Sequence, residues 1–262
     1  MSLSARLYSR KKLLKTLLAE PQQFCRFAGG IRLRSYQQAP AEAILRSIRG
    51  RLGHTIVVLF PRQSGKNELQ AQIECYLLLM LSQHNADLIK VSPTWKPQSL
   101  NAMRRLERVL EQNALTHGKW CKESGYIIRL GRARMVFLSG QPEANIVGAT
   151  ASTLLQVDEA QDVLIQKYDK EIAPMAASTN ATRVFWGTAW TSRTLLSREL
   201  RAARKAQKKD GVQRVFVLTA DDVSKEVPAY GDFVAAQVAR LGRNHPMIKT
   251  QYFRVADGDD DV

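Results

Sequence analysis

From His54 onward, short apolar runs of strand length alternate with longer stretches whose apolar residues recur every three or four positions. The run TIVVLF at 55–60 is continuous and β-branched, as in a strand buried on both faces. PRQSG interrupts it, and KNELQAQIECYLLLMLSQ then carries a long helical pattern. DLIKV at Asp87–Val91 predicts the next strand and PTWKP a loop. QSLNAMRRLERVLEQ follows as a helix with Leu100, Met103, Leu106 and Leu110 at helical spacing. YIIRL and ARMVFLS, divided by Gly131 and Arg132, predict a hairpin, while TLLQV, TRVFW and VQRVFVL (Val212 to Leu218) predict three further strands. Strands alternating with helices imply an α/β fold with a doubly wound, largely parallel sheet, whose ligands bind beyond the carboxyl ends of the strands.

The two ends have a different character. Residues 4–20 alternate Leu with Lys and Arg and predict a basic amphipathic helix, and a second helix is expected at Ala39–Ile48. After Leu218 two short helical patterns, broken by Pro228, Gly242 and Pro246, predict a small helical subdomain without another buried strand. The final DGDDDV is an acidic, apolar-poor tail expected to be solvated. The expected organisation is a basic extension at 1–30, an α/β core at 31–220, a helical lid or linker at 221–256 and a tail at 257–262.

Charge changes the picture of partners. Across 262 residues, 39 Lys and Arg against 24 Asp and Glu leave a net charge of +15, a field that gathers phosphate polyanions and favours nucleic acid as partner. Cys25, Cys75 and Cys121 are odd in number and lie far apart, so neither a disulfide framework nor a zinc site is indicated and a reducing cytoplasm fits. No run is long enough to span a membrane, and the first residues lack the unbroken apolar stretch of a signal peptide.

VVLFPRQSGKNE has the layout of a phosphate-binding loop, in which a buried strand and a tight loop lead to Gly65 and Lys66 opening a helix. Backbone N–H groups there can cradle phosphate oxygens, and the Lys66 ammonium would neutralise the β and γ groups of a nucleoside triphosphate. Two positions depart from the G-x-x-x-x-G-K-[ST] pattern: Phe60 stands at the first glycine, and Asn67 replaces the hydroxyl residue that would ligate magnesium. LLQVDEAQD is an apolar strand ending in adjacent carboxylates. Asp158 is placed to hold magnesium, and Glu159 to accept a proton from an attacking water.

RQSGKNE, the stretch from NIVGAT to LLQVDEAQD, the strand-end WGTAW, and a Tyr-Gln pair ahead of the phosphate loop occur in the order found in phage terminase large subunits, which this sequence resembles from about Arg34 to its end. The resemblance implies a P-loop ATPase core of the RecA/ASCE type that uses ATP and Mg2+ to move double-stranded DNA into a procapsid. It implies that Gln37 contacts the adenine edge, that Arg62 senses the γ-phosphate, that Gln63, Ser64 and Gly65 line the phosphates with Lys66, and that Gly187 and Thr188 form a coupling motif. Asn67 and Asp158 become the magnesium ligands, the amide oxygen of Asn67 serving in place of a hydroxyl. Implied partners are a portal protein, a terminase small subunit and other copies in a ring of about five, in the cytoplasm of a phage host. A metal-dependent nuclease domain, which follows in full-length members of the family, is not expected within these residues. The arginine that the family places before the motif glycine is Val147 here, ahead of Gly148, and Arg129, Arg132 and Arg134 are substitutes by sequence proximity alone. Trp95 and Lys96 sit in a loop where related motors touch DNA. Two other classes stay open: a helicase-like translocase, and a nucleotide-gated DNA-binding or assembly module with little turnover.

Overall fold

The structure is a computed structural model and describes residues 19–188 and 192–253. The N-terminal basic segment up to residue 18, Ala189 and Trp190 of WGTAW, and the acidic tail lie outside the described residues.

Eight strands form one sheet in the order β3-β4-β5-β2-β6-β7-β1-β8. They are β1 (Thr55–Leu59), β2 (Ala86–Ser92), β3 (Trp120–Glu123), β4 (Ile127–Leu130), β5 (Ala133–Ser139), β6 (Leu154–Val157), β7 (Thr182–Gly187) and β8 (Val215–Val217). The six strands from β5 to β8 in this order run parallel, and β3 and β4 close one edge as antiparallel partners. The largely parallel sheet and the β4–β5 hairpin are as the apolar pattern predicts. β3, whose WCKE sequence has almost no apolar run, is an addition, and β8 is shorter than the segment from Val212 to Leu218 suggested.

The helices are α1 (Pro21–Phe27), α2 (Ser35–Arg49), α3 (Lys66–Met80), α4 (Leu100–Gln112), α5 (Leu195–Asp210), α6 (Ala220–Ser224) and α7 (Pro228–Leu241). α2 begins four residues before the expected Ala39, because Gln37 caps its start by accepting the Arg34 N–H at 2.9 Å. Pro40 falls inside the helix, where it has no N–H to donate to the Tyr36 carbonyl one turn back, and α2 continues past it to Arg49.

Strand alternation divides the interior into two layers. Ile56, Val58, Leu88, Leu154, Val184 and Trp186 point to the side covered by α1 to α4, and Val57, Leu59, Ile89, Leu155, Val157 and Phe185 to the side covered by α5 and the turns at 160–176. α3 is buried around nearly its whole circumference, and with it Gln70, Gln72 and Glu74. A third, small cluster joins Ala220, Val223, Tyr230, Val234, Ile248 and Tyr252, so the C-terminal helices have a core of their own.

Candidate nucleotide site

Parallel register sets the site. Leu59 at the end of β1 lies beside Gly187 at the end of β7, and Val157 of β6 lies beside Phe185, so the residues after each strand emerge together at one edge of the sheet. Phe60, Asp158 and Thr188 are those residues, with Glu159 following Asp158. The Phe60 N–H donates to the Gly187 carbonyl at 3.0 Å and the Thr188 hydroxyl donates to the Phe60 carbonyl at 3.2 Å, which laces the phosphate loop to the end of β7.

Between Phe60 and Lys66 the chain turns tightly. The Ser64 hydroxyl donates to the Pro61 carbonyl at 2.7 Å, and Gln63 (φ 60) and Gly65 (φ 92) take left-handed backbone conformations. Gly65 is required twice: its φ disfavours any side chain, and a Cβ would come within 2.8 Å of the Gln37 amide nitrogen. Phe60 explains the missing first glycine. Its ring is buried edge-on to Tyr36, with centroids 5.9 Å apart, so that position serves the core.

Three side chains from α2 and the residue before it fasten this loop. Arg34 and the Tyr36 hydroxyl both donate to the Ser64 carbonyl, at 3.2 and 2.9 Å, and the Gln37 amide donates to the Gly65 carbonyl at 3.0 Å. Both ends of the Gln37 amide are thus engaged within the chain. From the other side the Tyr230 hydroxyl of α7 donates to the Arg62 carbonyl at 3.1 Å, a direct link from the helical subdomain to the loop. No acceptor among the described residues takes the backbone N–H of Arg62, Gln63, Gly65, Lys66 or Asn67. These donors, at the start of a 15-residue helix, make an anion cradle.

Lys66 and Glu159, 93 residues apart, meet with Nζ and Oε1 2.6 Å from one another. Lys66 is nearly buried, whereas a quarter of the Glu159 side chain is exposed. Glu159 itself sits in a left-handed conformation, φ 44, which turns its carboxylate back over the loop. Its second oxygen accepts from the Gln161 amide at 2.7 Å, and the Gln161 oxygen accepts the Thr188 N–H at 3.3 Å. Gly187 is needed for that contact, since a Cβ there would lie 2.3 Å from the Gln161 oxygen. Asp158 is buried and accepts from Gln70 of α3 at 2.9 Å; no described donor takes its second oxygen. Asn67 precedes Gln70 by one turn of the same helix and is exposed, as are Arg62 and Gln63.

The structure therefore brings together the loop from Arg62 to Asn67 and the side chains of Gln37, Asp158, Glu159 and Thr188. It leaves others outside. Arg129 is paired with Glu123, Arg134 with Asp87 at 2.6 Å, and Arg132 donates to Asn85 at 2.9 Å, all on the antiparallel edge. Trp95 packs against the core, and Lys96 is exposed. Sequence reasoning missed Arg34, Gln70, Gln161 and Tyr230 as site residues; only Gln161 carried a signal, as the last residue of the DEAQ string.

No family model matches the chain, and no curated protein matches it in sequence. Solved structures do match in shape. The bacteriophage HK97 large terminase superposes with a TM-score of 0.73 at 16% identity, over 91% of this chain and 54% of that one. The Thermus phage P74-26 large terminase ATPase domain gives 0.63 at 14% identity, over 86% of this chain and 94% of that one. The fold is that of large-terminase ATPase domains. A third large terminase with this fold, from a thermophilic bacteriophage and in complex with ATP-gamma-S, has a TM-score of 0.57 at 11% identity, over 84% of this chain and 52% of that one. The present chain spans about half the length of the HK97 terminase. The helical layers and parallel sheet expected of a terminase ATPase core are thus present, including the strand end that carries Gly187 and Thr188.

Proposed function

We propose that this chain is the ATP-hydrolysing motor domain of a terminase large subunit, which uses hydrolysis to move double-stranded DNA into a procapsid. The observation that carries the reading is the meeting of Lys66 and Glu159 at 2.6 Å, one from a phosphate-type loop and the other from a separate strand end, in a terminase ATPase fold. Without nucleotide the ammonium and the carboxylate neutralise one another. Triphosphate entering the loop competes for Lys66 and frees the Glu159 oxygen beside it. Glu159 then takes a proton from a water as that water attacks the γ-phosphorus and the bond to the ADP oxygen breaks. The free N–H groups from Arg62 to Asn67 hold phosphate oxygens, with Ser64 and Gly65 shaping the cradle. Exposed Arg62 offsets charge on the γ-phosphate, Gln37 reaches the adenine edge on exchanging its loop contact, and Thr188 senses phosphate status through the Phe60 carbonyl.

Asn67 and Asp158 offer hard oxygen donors, Asp158 being held by Gln70 one helical turn after Asn67, and the unclaimed Asp158 oxygen suits a water-mediated magnesium contact. Among the described residues no three His, Cys, Asp or Glu side chains form a group that could hold a metal ion. When bound, Mg2+ would neutralise β- and γ-phosphate charge. Exposed Arg201, Lys205 and Lys208 share a stripe on α5 and, with Lys96, are candidate backbone contacts for duplex DNA. The helical subdomain, tied to the loop through Tyr230, is the moving part. Assembly into a ring of about five copies on a portal protein, with a small subunit as further partner in the host cytoplasm, completes the proposal.

Steady-state ATP turnover with Mg2+, with and without linear duplex DNA, tests it over a range of protein concentrations. Glu159→Gln is expected to lower turnover about 100- to 10,000-fold, while wild-type turnover rises faster than linearly with concentration. Equal silence of both proteins with ATP still bound would favour a nucleotide-gated DNA-binding module instead.

A further inference from the structure

Among the described residues, Gln161 is the one side chain that hydrogen-bonds both the carboxylate assigned as base and the residue just past the end of β7. Its amide nitrogen donates to Glu159 Oε2 at 2.7 Å and, more weakly, to Asp162 at 3.2 Å, and its oxygen accepts from the Thr188 backbone at 3.3 Å. The fit is tight, because Gly187 leaves room for that oxygen where any Cβ would clash at 2.3 Å. Thr188 in turn donates to the Phe60 carbonyl at 3.2 Å, and Phe60 donates to Gly187 at 3.0 Å. A closed circuit results, running from Lys66 through Glu159, Gln161 and Thr188 back to the phosphate loop.

We propose that Gln161 is a positioning residue that holds Glu159 for catalysis and links its placement to the end of β7. The inference rests on the hydrolytic reading above. Glu159 has two anchors, Lys66 and Gln161, and a triphosphate removes the first. From that moment only Gln161 keeps the carboxylate aimed. An amide is suited to this: it donates to a carboxylate and accepts from a backbone N–H at once, which neither Glu nor Leu of similar size can do. Any shift of Glu159 toward the attacking water pulls on the amide, and the same amide pulls on Thr188, the residue that follows β7.

The two ends of the amide are separable. Gln161→Glu keeps an acceptor for Thr188 but replaces the donor to Glu159 by a repelling carboxylate, and Gln161→Ala removes both. With kcat and KM measured for ATP, and nucleotide Kd measured with a fluorescent ATP analogue, both variants are expected to lose on the order of 10–100-fold in kcat with KM and Kd within about threefold of wild type. Hydrogen exchange at the Thr188 amide is expected to speed up at least about tenfold in Gln161→Ala and to match wild type in Gln161→Glu. Unchanged kcat in Gln161→Glu, or a loss confined to KM, overturns the inference. Should wild type turn over nothing, the hydrolytic reading falls and the exchange measurement decides alone: the predicted split supports the link, and equal rates in all three proteins overturn it.

Discussion

Two chains of hydrogen bonds, one within the sheet and one past the ends of β6 and β7, have the same composition up to their last member. In the interior, Lys90 of β2 and Gln156 of β6 both donate to one oxygen of Glu74, at 2.8 and 2.7 Å, and Trp186 of β7 donates to Gln156 at 2.8 Å. At the rim, Lys66 and Gln161 each donate to one oxygen of Glu159, and Thr188 donates to Gln161. Each is a lysine, a glutamate, a glutamine and a donor from β7 or the residue that follows it. They differ in water. Lys90, Glu74, Gln156 and Trp186 are no more than 2% exposed, whereas Glu159 is a quarter exposed at the mouth of the phosphate loop. The inner chain has no ligand to exchange with, so it fixes α3 against β2, β6 and β7. On the proposed function the rim chain trades one of its members for phosphate, and the same chemistry then serves as a site. The two are stacked: Gln70, which holds Asp158, precedes Glu74 by one turn of α3, and Asp158, the residue after β6, follows Gln156 by two.

Breaking the inner chain is expected to have the largest effect on folding. Burial pushes the Glu74 carboxyl above the ordinary glutamate range against the pull of Lys90, so the pair is held at considerable cost in desolvation. Glu74→Ala leaves the Lys90 ammonium buried without a counter-charge and is expected to destabilise the domain by about 3–5 kcal/mol. Denaturant unfolding followed by circular dichroism measures this. Glu159→Gln, by contrast, leaves a neutral hydrogen-bonding side chain in a partly solvated position and is expected to change stability by less than about 1 kcal/mol. If the two variants lose equal stability, the division into a structural and an exchangeable chain fails.

This contrast also explains what the sequence could and could not disclose. The sheet was legible because TIVVLF, DLIKV and TLLQV are short apolar runs between turn residues, and the loop and strand-end carboxylates were legible because their spacing follows from phosphate chemistry. Glu74, Gln156 and Gln70 gave no such signal. A polar residue in a helix reads as solvent-facing unless its helix is known to be buried all round, and α3 is buried because β2, β6 and β7 meet under it, a fact of topology and not of local pattern. Tyr230 was hidden for the same reason, since its partner lies 168 residues away in the chain, and the DEAQ string marked Gln161 without disclosing its contact with Thr188, 27 residues on. β3 was missed because an edge strand with one solvated face has no apolar run to show.

A milder break of the inner chain sharpens the difference. Trp186→Phe keeps an aromatic ring but removes the indole N–H, and the Gln156 oxygen is then buried without a donor. The expected loss is about 1–3 kcal/mol, again read by denaturant unfolding. Pairing the change with Gln156→Leu, which removes the orphaned oxygen, is expected to be less than additive, because the two residues share one bond. Additive losses would mean that Trp186 stabilises by ring packing alone and that the chain ends at Gln156.

The smallest effect lies at the rim and reports on its charge. Asp162 reaches solvent, yet partial burial and the nearby Glu159 carboxylate raise its carboxyl above the ordinary aspartate range, against the opposing effects of Gln161, Arg62 and Lys66. The folded protein therefore holds this proton more tightly than the unfolded chain does. Its contribution to stability is fully present below the ordinary aspartate value of about 4 and is lost as pH rises through the raised folded value. Asp162→Asn removes that dependence. The variant is expected to be more stable than wild type at neutral pH, by under about 1 kcal/mol given solvent screening, and the gain is expected to vanish as pH falls below about 4. Melting temperatures across that range measure it. Glu159 is one cause of the raised Asp162 value, so the gain is expected to shrink in a Glu159→Gln background. A gain of the same size with and without Glu159 would mean that burial alone shifts Asp162, and that the rim chain carries no net field beyond its own ion pair.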